Sequence, residues 1–177
     1  MADYQTISIV LTGVGMIIAL TYYALQIRNQ SKTRQMQVFI SLYNEMAEPD
    51  ELERWMEMMH WEWEDTADFV EKYGPENNRT AWAWRLQVYR RYNAIGLFLQ
   101  RGLIEADWIY DYFGPGAIVS WEKFKDVILA ARETTYDGKG FCKPFEYLSN
   151  EMVRIRAQRG YSIEVPERPW SLVDRED

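Results

Sequence analysis

The stretch ISIVLTGVGMIIALTYYAL, residues 7–25, decides how this chain is organised. It lies within residues 4–27, which carry no charged side chain. As an α-helix, residues 7–25 would measure about 28 Å at 1.5 Å per residue, which matches the hydrocarbon core of a bilayer. The sequence therefore predicts a transmembrane anchor within residues 1–27, and the lipid bilayer as its first partner.

The charges on either side of this stretch favour a retained anchor with one orientation. A cleaved signal peptide has a basic region before its apolar run, whereas here Asp3 precedes the run and Arg28, Lys32 and Arg34 follow it. By the positive-inside rule, a single-pass protein of the cell membrane is expected, with its N-terminus outside and its C-terminal domain in the cytoplasm. The alternative is a buried or interfacial helix.

Small and hydroxyl side chains recur along one face of the predicted span. We call this face the small-residue stripe; it consists of Ser8, Thr12, Gly15 and Ala19. Helices associate in lipid through close backbone approach, so the stripe predicts docking of another transmembrane helix, from a second copy or a partner subunit. The alternative is that Gly, Ser and Thr are simply common in membrane helices.

Helical spacing of apolar residues continues to the C-terminal region, and no segment alternates with period two, which predicts an all-α fold. We expect a juxtamembrane helix over residues 28–47 continuous with the span, a compact helical domain over 48–160, and an extended tail over 161–177. Helices within the domain are expected at about 50–63, 66–73, 80–101, 104–113, 117–135 and 141–155, with Gly114-Pro115-Gly116 separating the fourth from the fifth.

Composition excludes several classes of protein. With 47% hydrophobic residues, eight Trp and few Pro or Gly, the chain of 177 residues should form a packed core. Its net charge of -7 argues against a nucleic-acid partner. Residues 45–78 hold twelve acids against Arg54 and Lys72, which is either a solvated face or a surface for a basic partner.

One short constellation resembles a metal site. Glu57 and His60 form a Glu-x-x-His pair of the kind used by di-iron bundles, and Met56 and Met59 would offer soft ligands to Cu(I). The chain has a single histidine, so an iron or copper site would have to assemble across subunits. Packing of these side chains is the favoured interpretation, with no metal and no cofactor; metal binding is the alternative function.

No catalytic motif is present, so no enzymatic activity is expected. The only cysteine, Cys142, is remote in sequence from the only histidine, and a small buried thiol is expected there. The favoured function is a structural or accessory subunit of a membrane assembly, homo- or hetero-oligomeric. Besides the small-residue stripe, the expected contact residues are Trp61, Trp63 and Trp170, because aromatic side chains dominate interface energetics.

Several aromatic packing motifs follow the predicted span. They are FISLY at 39–43, YNAIGLF at 92–98, RGLI at 101–104, WIYDYF at 108–113, and Trp121. Together with the span, they make the chain over about residues 5–158 resemble a family of prokaryotic membrane-anchored helical proteins catalogued as a domain of unknown function. The resemblance implies the helical fold and the anchoring, and no chemistry.

Overall fold

A computed structural model describes residues 3–134 and 138–166. These residues contain no strand, which confirms the all-α prediction. The helices are α1 (Tyr4–Met46), α2 (Pro49–Met59), α3 (Thr66–Tyr73), α4 (Arg79–Gln100), α5 (Ala106–Thr134), a 3-10 helix (Gly138–Gly140) and α6 (Lys143–Gln158). The chain divides into two compact units, residues 1–41 and residues 42–177.

The first unit consists of the N-terminal part of α1. An 18-residue window of α1 has a mean hydropathy of 1.9 and none of it is buried, so the helix is long and apolar enough to cross a membrane. α1 continues to Met46 without a break, as expected from the absence of Gly and Pro after Gly15. The predicted continuity of the span with a long following helix is therefore confirmed.

The second unit is a helical bundle in which α6 packs against both α4 and α5. Tyr92 of α4 stacks on Phe145 of α6, with ring centroids 4.8 Å apart and planes 13° from parallel. Gly96 brings the backbones of α4 and α6 close together, because a Cβ at this position would lie 2.0 Å from the carbonyl oxygen of Pro144. Of the predicted inward positions of the last two helices, Phe141 precedes α6 and is half-buried, and the others are buried: Ile118, Trp121, Phe124, Ile128, Phe145, Leu148, Met152 and Ile155.

Two of the predicted helices, 104–113 and 117–135, form a single helix. α5 runs through Gly114-Pro115-Gly116 without interruption, so the predicted break at these residues is wrong. Proline removes one backbone N–H from the helix, which costs about 3 kcal/mol in an isolated helix. Here Phe113 and Ala117, which flank the Gly-Pro-Gly segment, are both buried, and this packing stabilises the helix across the proline.

Several helix ends also differ from the prediction by one to four residues: α4 ends at Gln100, α5 begins at Ala106, α6 spans Lys143–Gln158, and two further ends have a local cause. α2 ends at Met59 instead of continuing to residue 63, because the backbone N–H of His60 turns back to Glu57 O, at 3.0 Å. α4 begins at Arg79, one residue early, because the Asn78 side chain accepts from the Ala81 N–H at 3.0 Å and caps the helix. α3 has the predicted bounds.

Candidate functional site

The second unit has an open apolar groove of about 510 Å³ between α2 and α5, which we call the α2–α5 groove. Its outer walls carry four large side chains that are 44–62% exposed: Tyr43, Leu52, Met56 and Tyr112. Tyr43 and Tyr112 meet edge to face, with ring centroids 5.4 Å apart. A groove of this size, lined mainly by apolar and aromatic groups, has the dimensions of a binding site for apolar side chains or for a small molecule.

A buried ion pair borders the groove. Arg91, whose side chain is 5% exposed, donates from Nη2 to Glu51 Oε2 at 2.6 Å. Glu51 also accepts from Arg54 at 2.7 Å and from Gln87 at 2.8 Å, so its carboxylate joins α2 to α4. Glu45 lies 3.7 Å from Arg91 Nε and adds a second negative charge. This pairing fixes the position of α2, and with it one wall of the groove.

A second polar connection holds α2 against α5. Trp55 donates from its indole Nε1 to Ser120 Oγ at 2.8 Å, and Ser120 in turn donates to Tyr92 Oη at 3.4 Å. Burial raises the pKa of Tyr92, so its hydroxyl remains protonated and hydrogen-bonded. Trp55 and Tyr92 both line the groove, which is therefore bordered by side chains held in fixed positions.

The sequence did not point to this groove. Leu52 and Met56 lie four residues apart on α2, and this spacing is the local signal for an exposed apolar strip. Tyr43 and Tyr112 come from distant parts of the chain, so no sequence pattern shows that they meet.

The small-residue stripe lies on α1 in the first unit. Thr12 donates its hydroxyl proton to the carbonyl oxygen of Ser8, one turn earlier, at 2.8 Å. A Cβ added at Gly15 would meet no atom within 4 Å. This part of α1 therefore presents small side chains, and the Thr12 hydroxyl is already hydrogen-bonded within the helix. Such a surface suits the close approach of another helix.

The indoles of Trp61 and Trp63 pack within their own domain. Trp61 is 7% exposed and stacks on Tyr73, at 4.2 Å between ring centroids and 6° between planes. Trp63 stacks on Phe124 at 5.8 Å, and Lys123 Nζ lies 4.8 Å from the Trp63 ring centroid on its face. Trp61 therefore lies in the core and Trp63 is half-buried, and their role as contact residues stays a prediction. Trp170 lies outside the described residues.

The residues of the metal hypothesis lie at the end of α2. His60 is exposed, and its Nδ1 lies 2.7 Å from the carbonyl oxygen of Met56. Among residues 3–134 and 138–166, no three side chains of His, Cys, Asp or Glu lie close enough together to hold a metal ion. No observation in this part of the chain favours the iron or copper alternative.

Comparison with known proteins identifies the family of the chain but no function. No curated protein and no solved structure matches it. One family model does match, over residues 9–152, which include most of α1 and the bundle up to Met152 of α6. The chain belongs to this family, the domain of unknown function DUF4760.

Proposed function

We propose that this protein is a membrane-anchored interaction subunit without catalytic activity of its own, which joins a membrane assembly as a homo- or hetero-oligomer. The observation that carries the proposal is the first part of α1, where residues 4–27 are uncharged and exposed. Exposed apolar side chains on a helix of this length need a surrounding that is not water. A bilayer provides it.

The orientation proposed is the N-terminus outside and the bundle in the cytoplasm of a prokaryotic cell. Arg28, Lys32 and Arg34 follow the apolar part of α1 and are all exposed. Basic residues next to a span favour the cytoplasmic side. Cys142 is the one cysteine of the sequence and is buried; a chain with one cysteine has no internal disulfide, which suits a reducing compartment.

Two surfaces support a role in association. In the bilayer, the small-residue stripe would dock on another transmembrane helix. Outside it, the α2–α5 groove would receive apolar side chains of a partner protein. The exposed acids Asp50, Glu53 and Glu57 lie on α2, which forms one wall of this groove, so the matching partner segment would carry basic residues beside its apolar ones.

Anchoring is tested by alkaline extraction of membranes from cells that produce the full chain. We expect the wild-type protein to stay in the membrane pellet. The double variant Val14→Arg/Ile17→Arg should be extracted, since each arginine at the centre of a span costs about 2.5–3.5 kcal/mol. Val14→Leu/Ile17→Leu is the matched control and should stay in the pellet. Extraction of the wild-type protein would show that the anchor is absent.

Orientation is tested by labelling of introduced cysteines in a Cys142→Ser background. A membrane-impermeant maleimide should label Gln5→Cys in intact cells, and Asn44→Cys only after the membrane has been opened. The reverse pattern would overturn the proposed topology.

Association is tested by native mass spectrometry of the protein extracted from its own membrane in mild detergent. We expect either a second polypeptide at fixed ratio or a defined multiple of 21.1 kDa. Gly15→Ile should weaken the assembly, because a large side chain on the small-residue stripe would prevent close approach of another helix. Ile9→Leu, which lies off the stripe, is the control and should leave the assembly intact. A monomer in the wild-type sample would refute the proposal, and an assembly unchanged in Gly15→Ile would refute the role of the stripe.

A further inference from the structure

A second cavity, separate from the α2–α5 groove, lies between α4 and α5 beside Phe141. Its volume is about 200 Å³. The side chains that line this cavity, which we call the Arg85 cavity, are Trp82, Arg85, Leu86, Tyr89, Val127, Ala131 and Phe141. The walls are therefore aromatic and aliphatic except at Arg85 and Tyr89.

Both of these polar side chains carry a buried donor that meets no acceptor within the described part of the chain. Arg85 Nε and Tyr89 Oη are shielded from solvent, and neither has a hydrogen-bond partner in the part of the chain that the structure describes. Tyr89 is 3% exposed, and burial raises the pKa of its hydroxyl, which therefore stays protonated. Buried donors of this kind destabilise a fold unless something accepts their hydrogen bonds.

The charge of Arg85 also has no carboxylate partner among the residues that the structure describes. Arg91 and Arg132 are more deeply buried than Arg85, which is half-buried, and each contacts a carboxylate, at 2.6 Å and 3.0 Å. Arg85 takes part in none of the ion pairs formed within residues 3–134 and 138–166. Its guanidinium carbon lies 4.9 Å from the centroid of the Phe69 ring and 5.7 Å from that of Tyr89.

The two rings compensate the charge only in part. A ring face attracts a cation, but it does not accept the in-plane N–H bonds of a guanidinium as an anion does. The Cys142 thiol interacts electrostatically with both Arg85 and Tyr89, but sulfur is a weak acceptor. Both side chains thus bring a buried hydrogen-bond donor to the lining of the same cavity.

We propose that the Arg85 cavity binds a small monovalent anion of the chloride type. One guanidinium and one hydroxyl supply the donors, and carbon atoms form most of the wall. Such a site suits a weakly hydrated ion, because two polar groups cannot replace the hydration shell of a phosphate or sulfate dianion. A volume of about 200 Å³ holds a chloride ion with a few waters, since each water occupies about 30 Å³.

The test is the thermal unfolding of the full-length protein in a nonionic detergent, followed by tryptophan fluorescence. Chloride replaces gluconate stepwise at constant sodium concentration, with gluconate as the bulky, strongly hydrated reference anion. We expect Tm to rise with chloride and to level off. At ten times the dissociation constant the rise should be about 3–6 °C for a chain of this size.

Variants connect the effect to the cavity. Tyr89→Phe keeps the ring and removes one donor, so it should weaken chloride binding roughly tenfold. Arg85→Met should abolish the chloride effect, and Arg90→Met, an exposed arginine on the same helix, should preserve it. Equal Tm in both anions, a rise that does not saturate, or a full rise in Arg85→Met would overturn the proposal. If Arg85→Met does not fold, an unchanged chloride affinity in Tyr89→Phe would overturn it.

Discussion

Replacing Gly96 by alanine should loosen the contact between α4 and α6. The added Cβ would lie 2.0 Å from the carbonyl oxygen of Pro144 and 3.3 Å from Leu148 Cβ. Atoms in contact stay about 3.5 Å apart, so the two helices would have to separate by more than 1 Å at this point. The stacked rings of Tyr92 and Phe145, at 4.8 Å, lie on the same two helices and would be pulled apart as well.

Two opposing effects determine how much Gly96→Ala changes the free energy of unfolding. Overpacking of a core costs about 1–3 kcal/mol, and a clash with backbone belongs at the upper end of that range. Alanine is a better helix former than glycine by about 1 kcal/mol. The net loss in the free energy of unfolding should thus be about 2 kcal/mol, which lowers Tm by about 4–8 °C.

The assay is thermal unfolding of the full-length protein in detergent, followed by far-UV circular dichroism. Ala83→Gly, at an exposed position of α4, is the control and should lose about 1 kcal/mol through helix propensity alone. A Gly96→Ala protein as stable as the wild type would refute the close approach of the two helices.

Two further predictions concern charged side chains of the bundle. Glu51→Ala leaves the buried Arg91 without its 2.6 Å partner and should lower the free energy of unfolding by about 3 kcal/mol. Glu53→Ala, on the exposed face, is the control and should leave Tm unchanged. Equal effects of the two variants in a thermal scan would contradict the role of the pair. The hydrogen bond from Lys143, helped by the charge of Arg132, holds the pKa of Glu146 below its usual value of 4.5. The stabilising effect of the Glu146 carboxylate is therefore present above pH 4.5 and is lost as the pH falls through the lower pKa of the folded state. The Tm difference between wild type and Glu146→Gln should shrink on acidification. A difference that stays constant with pH would refute this prediction.

The boundaries that the sequence predicted well depend on local chemistry. α3 starts after Asp65, whose side chain accepts from the Asp68 N–H at 2.9 Å, and it ends before Gly74-Pro75. The capping Asp and the Gly-Pro pair can both be recognised in the amino-acid sequence. The inward face of α6 was predictable for the same reason, because apolar residues recur there at helical spacing.

The features that the sequence did not predict depend on contacts between distant residues. The continuity of α5 through Pro115 requires the burial of its neighbours, which no local rule contains. Beyond the end of α2 at Met59, Trp61 packs against Tyr73, which lies twelve positions further along the chain. In the α2–α5 groove, Tyr43 meets Tyr112 across 69 positions of sequence. Local pattern predicts elements, whereas grooves arise from their assembly.

The stacked rings after α2 also give this domain a built-in optical signal. Trp61 lies 4.2 Å from Tyr73 in parallel planes, and Trp63 lies 5.8 Å from Phe124 at 12°. Aromatic chromophores fixed this close in an asymmetric setting couple their transitions, which gives intense near-ultraviolet circular dichroism. The rings come from the segment after α2, from α3 and from α5, so loss of that spectrum would report the separation of these elements even while each helix persisted.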